Sequence, residues 1–141
     1  MLWVIFVGCV LLIIVLSLFF INFYRDPVRK TPKGKNIVAP ADGRIIAIID
    51  TSKPNFIIYK GIFGKLNALC SDVAKECHIV SIFMSPLDVH FNRAPVGGKV
   101  IRVNHSSGKF FRAYDFGLSL ENEKNEILME NEDGLKIKTI Q

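Results

Sequence analysis

Ionisable side chains and turn-forming residues occur together in three short segments of this chain. Each segment places acidic, basic or imidazole groups beside proline or glycine, next to runs of strand-forming residues. Loops held by rigid strands are where binding and catalytic groups are commonly found. The three segments are residues 39–45 (APADGRI), residues 85–98 (SPLDVHFNRAPVGG) and residues 108–115 (GKFFRAYD).

Three side chains in the first two segments have both a structural and a chemical interpretation. Asp42 precedes Gly43, which is typical of a plain turn, but its carboxylate could also orient a base. His90 is either a packed imidazole at a strand end or a general acid or base that titrates near neutral pH. Arg93 could hold a phosphate or carboxylate with its fork of donors, or pair with Asp88.

A serine-hydrolase trio of Ser85, Asp88 and His90 is excluded by spacing. Three residues so close together on one short stretch cannot easily align a hydroxyl, an imidazole and a carboxylate, and a serine followed by proline forms no nucleophile elbow. We therefore expect no serine-nucleophile chemistry from this segment.

The three cysteines predict neither a disulfide framework nor a metal site. Cys9 lies in an apolar run, and Cys70 and Cys77 with His78 lack the closely spaced ligand pairs of a zinc site. We expect the thiols to be reduced and the chain to bind no metal.

The element that precedes these segments is an apolar helix. Residues 2–21 carry no charge, and at about 1.5 Å per residue they span about 30 Å, the thickness of a bilayer's hydrocarbon core. The run is longer than the apolar part of a signal peptide and no basic residues precede it, so a retained transmembrane helix over residues 1–23 is favoured.

A basic juxtamembrane linker, residues 24–36, follows the helix. It holds five basic residues and one acid, a charge of +4 out of the chain's +5. The positive-inside rule then predicts a domain on the cytoplasmic side of the plasma (inner) membrane. This linker either sets topology only or also attracts anionic headgroups. The sequence has no basic patch interleaved with aromatic residues beyond the linker, so we expect no nucleic acid binding. Its basic residues are Arg25, Arg29, Lys30, Lys33 and Lys35.

Residues 37–141 predict one compact, mainly β domain, α+β at most, with antiparallel hairpins. Asp133-Gly134 suits a tight turn between residues 126–130 and 135–140, and Lys136 and Lys138 alternate with apolar residues, which predicts one wet face on the last strand. One short helix is expected over residues 63–75. Further strands are expected at residues 44–50, 55–59, 78–84 and 99–104.

Taken together, the motifs resemble the short-form phosphatidylserine decarboxylases of bacteria and archaea. The resemblance extends from about Phe23 to the C-terminus and keeps both order and spacing. It is carried by residues 23–29 (FYRDPVR) with Pro32, residues 39–45, residues 83–99 (FMSPLDVHFNRAPVGGK), residues 108–115 and residues 120–125 (LENEKN).

The resemblance implies a self-processing enzyme that decarboxylates phosphatidylserine to phosphatidylethanolamine with a pyruvoyl group made from one of its own serines. Asp42 then matches a processing aspartate, and His90 matches an active-site histidine that binds substrate or delivers a proton. Asn92 and Arg93 are the implied substrate-binding residues. Arg93 stands where longer family members have a second histidine, so the residue that activates the serine stays open.

No glycine of this chain is followed by serine, so it contains no Gly-Ser bond to process. We expect the pyruvoyl serine to lie beyond Gln141, on a C-terminal pyruvoyl subunit of the same proenzyme. This chain would then be most of the membrane-anchored larger subunit, lacking the domain's C-terminal segment and inactive alone. The alternative is a non-catalytic, membrane-tethered remnant or module that binds anionic lipid.

Overall fold

A computed structural model describes residues 1–52, 69–112 and 116–141 of the chain. In these ranges a long apolar helix precedes two antiparallel sheets. The predicted strand at residues 55–59 and residues 63–68 of the predicted helix lie outside the described residues; in the remainder of that predicted helix, Leu69 and Cys70 are helical and residues 71–73 form a turn. The elements are α1 (Leu2–Phe23), β1 (Arg44–Asp50), β2 (His78–Phe83), β3 (Lys99–Ser106), α2 (Phe116–Ser119), β4 (Lys124–Glu130) and β5 (Lys136–Ile140).

Helix α1 consists almost entirely of apolar residues, and none of its side chains is buried. It is long and apolar enough to cross a membrane, although a signal sequence near an N-terminus meets the same criterion. The helix ends at Phe23. Pro27 restricts Asp26 to extended backbone and cannot itself continue a helix, so the chain turns away here.

Strands β1 and β2 form a two-stranded antiparallel sheet. Their register runs from Arg44 opposite Phe83 to Asp50 opposite His78, with an irregularity between Ile45 and Ala47. The β-branched residues of both strands favour this extended backbone. The sheet matters for the site because both catalytic candidates lie beyond the same end of it: Asp42 precedes Arg44, and His90 lies in the loop after Phe83.

The second sheet has the order β3-β4-β5, and every pairing is antiparallel. The predicted turn between β4 and β5 is confirmed, with Gly134 at a φ of 78°. Asn131 closes this turn, because its side-chain oxygen accepts from the backbone N–H groups of Asp133 and Leu135. The tight turn therefore fixes the register of the hairpin.

The buried apolar side chains among the described residues come from several elements. Leu128 and Met129 are adjacent on the central strand β4, so they point to opposite faces of the sheet. Cys70 lies near Lys138 of β5, and Val89 is buried in the loop after β2. Both faces of the second sheet are thus partly covered at its centre.

The expectation of one wet face on β5 is wrong at Lys138. Lys136 is exposed, but the side chain of Lys138 is only 5% exposed. Its ammonium contacts Asp72 at 2.7 Å and Glu126 at 3.3 Å. Asp72 belongs to the turn after Cys70, and this turn covers that face of β5. The Lys138 ammonium is therefore buried, and two carboxylates take the place of water around it.

Candidate active site at the end of the apolar helix

Two loops hold the candidate residues, and backbone hydrogen bonds join them. The histidine loop (residues 85–93) leaves β2 after Phe83, which pairs with Arg44, and returns where the N–H of Arg93 donates to the Pro40 carbonyl at 2.8 Å. The aspartate turn (residues 40–43) therefore spans the base of the histidine loop. The structure thus brings Asp42 and the histidine segment into one region.

The histidine loop begins with a tight turn that uses Ser85 and Asp88 for structure. The N–H of Ser85 donates to the Asp88 carboxylate at 2.7 Å, and the N–H of Asp88 donates to the Ser85 carbonyl at 3.0 Å. The hydrogen bonds that the Asp88 carboxylate accepts from the backbone and the side chain of Ser85 lower the pKa of Asp88. The carboxylate is turned to the backbone of Ser85 rather than to His90, which agrees with the exclusion of a hydrolase trio.

Val89 fixes the position of His90 in this loop. Its side chain is 1% exposed, the lowest value among the large described side chains, so the backbone before His90 is pinned by packing. The Nδ1 atom of His90 lies 3.0 Å from the Asp88 carbonyl oxygen. A carbonyl only accepts, so this contact makes Nδ1 the donor and leaves Nε2 of the neutral ring as the basic nitrogen.

The last residue of α1 packs directly on the imidazole. The rings of Phe23 and His90 stack with centroids 3.9 Å apart and planes 24° from parallel. The backbone carbonyl of Leu87, in the same loop, accepts from Arg25 at 2.9 Å and from Asn22 at 3.4 Å. The histidine loop is therefore attached to the end of the apolar helix.

Asp42 is held by the linker. Its carboxylate accepts from Arg29 at 2.5 Å, and both side chains are partly exposed. Within the described part of the chain it makes no hydrogen bond to His90. The next residue, Gly43, has a φ of 139°, and a Cβ there would overlap the carbonyl oxygen of Phe83. Glycine is therefore required for the turn that presents Asp42.

Arg93 is paired with the linker instead of with Asp88. Its guanidinium forms an ion pair with Asp26 and donates to the Pro27 carbonyl at 3.0 Å. Asp88 is occupied by the turn at Ser85, which explains why the pairing considered from the sequence does not form. Asp26 and Pro27 thus hold Arg93 beside the first residues of the linker.

Asn92 connects the histidine loop to the end of the second sheet. Its Nδ2 donates to the side-chain oxygen of Gln141, directly after β5. Its Oδ1 atom is buried and has no hydrogen-bond partner among the described residues. A buried acceptor without a donor is costly, so this atom is suited to receive a donor from a bound group.

Sequence reasoning missed the contribution of Phe23, Asp26 and Arg29 to this region. The charge pattern of the linker indicates topology or lipid contacts, yet Arg29 pairs with Asp42 and Asp26 pairs with Arg93. One indication was available, because Asp26 is the only acid among the five basic residues of the linker. An isolated acid in a basic segment suggests a specific partner.

Comparison with known proteins identifies the relatives of this chain. The model of the phosphatidylserine decarboxylase family matches residues 16–141. A phosphatidylserine decarboxylase proenzyme of Pelodictyon phaeoclathratiforme is 43% identical over 115 residues, which cover 81% of this chain and 46% of the relative. One of Syntrophus aciditrophicus is 38% identical over 126 residues, covering 89% and 52%. A protein of Methanocaldococcus jannaschii named as an archaetidylserine decarboxylase proenzyme is 39% identical over 123 residues, covering 82% and 57%.

The chain spans about half the length of these relatives. The matched range includes the end of α1, the linker, the aspartate turn and the histidine loop, so every candidate residue described above lies inside it. The sequence resemblance is thereby confirmed over most of the chain. This protein belongs to the phosphatidylserine decarboxylase family.

Proposed function

We propose that this chain is most of the membrane-anchored larger subunit of a phosphatidylserine decarboxylase. The reaction removes the carboxyl group of the serine headgroup as carbon dioxide and leaves an ethanolamine headgroup. The observation that carries the proposal is the joining of the aspartate turn to the histidine loop, with His90 stacked on the end of α1. Family membership supports the same reaction.

The residues present are compatible with a pyruvoyl group supplied by a C-terminal subunit of the same proenzyme. The buried Oδ1 of Asn92 lacks a donor among the described residues, and the Asn92 amide bonds Gln141 at the end of β5. A segment continuing from β5 would therefore enter beside the histidine loop. When bound, the pyruvoyl group supplies a carbonyl that accepts the electrons released as carbon dioxide leaves.

His90 moves protons in this proposal. In its neutral form the free Nε2 takes a proton from the substrate ammonium, and in its protonated form it returns a proton to the carbon that has lost carbon dioxide. Its ring is already oriented by the Asp88 carbonyl and by Phe23. Fixed orientation of this kind lowers the entropic part of the barrier.

Arg93 and Asn92 bind the headgroup in this proposal. A guanidinium suits the substrate phosphate because its parallel N–H groups match two phosphate oxygens. Arg93 already has one acidic partner in Asp26, so phosphate would share or replace that contact. Asp42 acts in chain processing, where it orients or polarises a base, and its carboxylate is held in place by Arg29.

We propose that α1 spans the plasma membrane and that the β-rich part lies on its cytoplasmic side. The apolar length of the helix and the absence of buried residues on it support this arrangement. The basic linker supports the cytoplasmic orientation, because positively charged flanks are retained on that side. The phospholipid substrate is then in the same membrane as the helix.

The test uses a proenzyme completed with a C-terminal half taken from one of the relatives. His90→Gln and Asp42→Asn are each expected to block chain cleavage or lipid turnover, seen as an uncleaved chain by mass spectrometry or as absent ethanolamine lipid. His105→Gln is the matched control, since His105 pairs with Glu123 on an exposed surface. Full cleavage and full turnover in both site variants would refute the assignment.

The second candidate is a non-catalytic module that holds anionic lipid at the membrane. The exposed basic side chains of Lys30 and Lys33 favour it, because each such group near an anionic surface contributes about 1 kcal/mol of attraction. This candidate predicts lipid binding without turnover after the C-terminal half is supplied. Production of ethanolamine lipid by the completed chain would eliminate it.

A further inference from the structure

The tip of the histidine loop presents an apolar side chain to the outside. Leu87 is 67% exposed, although Val89, two residues later, is almost fully buried. Pro86 beside it is also exposed. The loop is therefore held firmly from within while its tip projects an apolar surface.

The depth of Leu87 along the helix axis is fixed by hydrogen bonds. Its carbonyl accepts from Asn22 and Arg25, the residues that follow the apolar run of α1. If residues 2–21 fill the hydrocarbon core, these two residues lie at the boundary with the headgroups. Leu87 then lies at that boundary too.

Neighbouring side chains have the composition of a membrane interface. Tyr24 and Val28 flank the helix end, and Val28 is 97% exposed. Phe91, on the far side of His90 in the same loop, is exposed as well. Aromatic and apolar side chains beside basic residues are typical of segments that lie among anionic headgroups.

We propose that the tip of the histidine loop, Pro86 and Leu87, inserts into the cytoplasmic face of the bilayer beside α1 and holds His90 at headgroup depth. This inference rests on the proposed membrane-spanning role of α1 and extends it to a second contact. Its consequence is that a serine headgroup reaches the imidazole by moving within the membrane plane, without leaving the bilayer.

The experiment uses the chain's single tryptophan, Trp3, and its removal. The variant Trp3→Phe with Leu87→Trp is reconstituted in vesicles of phosphatidylglycerol and phosphatidylcholine whose acyl chains carry bromine near the headgroup. We expect the emission to shift to shorter wavelength and the bromine to quench it about twofold. The matched control is Trp3→Phe with Ile48→Trp, because Ile48 is 68% exposed and pairs with Val80, away from the Arg44–Phe83 end of the sheet where the histidine loop begins.

Quenching of the tryptophan at position 87 but not at position 48 supports the inference. Emission at position 87 that is unquenched, or quenched no more than at position 48, overturns it. Such a result would leave Leu87 as a contact for protein, including the C-terminal subunit. The fluorescence measurement does not require turnover, so its result does not depend on the catalytic assignment.

Trp3 in the unaltered chain separates this inference from the proposed membrane span. Trp3 lies at the opposite end of α1, so bromines near the headgroups should quench it in a spanning helix. Quenching of Trp3 without quenching at position 87 refutes the loop insertion alone, whereas an unquenched Trp3 refutes both. A lipid bearing a photoreactive diazirine tests the unaltered chain, so that a misfolded variant cannot obscure the result. We expect label on the peptide containing Leu87, and label confined to α1 would contradict the inference.

Discussion

His90 is restrained by two contacts of different kinds. The Asp88 carbonyl selects the tautomer of the ring, and Phe23 limits its rotation by stacking on one face. The sequence identified His90 through its motif, but Phe23 is the last residue of an apolar helix and resembles its neighbours there. The partnership depends on how the linker turns after α1, which no local pattern specifies.

Replacing Phe23 by leucine tests the stack at the residue scale. An aromatic pair contributes about 1 kcal/mol beyond the effect of its buried area. We therefore expect Phe23→Leu to destabilise the folded conformation of the histidine loop by about 1 kcal/mol. The ring-current shift of the His90 side-chain protons should disappear, which proton NMR in detergent micelles measures. Phe6→Leu, near the other end of α1, is the control and should leave these resonances unchanged. Persistence of the shift in Phe23→Leu would contradict the stacked geometry.

Elements with strong local signals were predictable, and contacts between distant elements were not. Strand β1 and the hairpin turn at Gly134 follow from β-branched residues and an Asp-Gly pair, and both are confirmed. The burial of Lys138 was not predictable, since it depends on Asp72 reaching across the sheet from a distant turn. Alternation along one strand describes its two faces but not what covers them.

Gly43 carries a conformational requirement that can be tested against a nearby glycine. Its φ of 139° and its contact with the Phe83 carbonyl exclude a side chain, so Gly43→Ala should destabilise the fold by about 1–3 kcal/mol and displace Asp42. Gly97 has open space around its Cβ position, so Gly97→Ala should change stability by less than about 0.5 kcal/mol. Urea unfolding in detergent measures both. Equal stability of the two variants would show that the aspartate turn tolerates a side chain.

The ion pairs beneath the second sheet predict a pH dependence of stability. Burial opposes ionisation of Asp72, but its hydrogen bond with Lys138 and the nearby positive charges prevail and lower the pKa of Asp72. Because the folded-state pKa lies below the unfolded value, this stabilisation is complete above the unfolded pKa of about 3.9 and is lost as pH falls through the folded pKa.

Asp72→Asn should therefore cost about 2 kcal/mol near pH 7 and flatten the loss of stability below about pH 4. Thermal unfolding in detergent over this range provides the measurement. Asp133→Asn is the control, because its partner Lys35 is largely exposed and such surface pairs contribute less than about 1 kcal/mol. If the acid dependence of Asp72→Asn matched that of the unmodified chain, the buried pair would not be the source.

At the scale of the whole molecule, the linker joins the apolar helix α1 to the β-rich part through ion pairs. Asp26 pairs with Arg93, Arg29 with Asp42, and Lys35 with Asp133 on the hairpin. The family motifs allowed Asp42, His90 and Arg93 to be predicted from the sequence. Their joint dependence on the linker could not be, because a charge pattern does not distinguish a lipid partner from a protein partner.

Those pairs imply that a soluble version lacking residues 1–35 is a poor surrogate for the native protein. Trimming removes the counter-ions of Asp42 and Arg93 and the ring that stacks on His90 in a single step. We expect the trimmed, completed enzyme to be impaired even on a short-chain substrate dissolved in water, where tethering is irrelevant. Comparing kcat/KM on that substrate for trimmed and full-length enzymes measures the effect. Equal values would mean that residues 1–35 only tether the protein close to its lipid substrate. A lower value for the trimmed enzyme would mean that these residues also keep the site in its active arrangement.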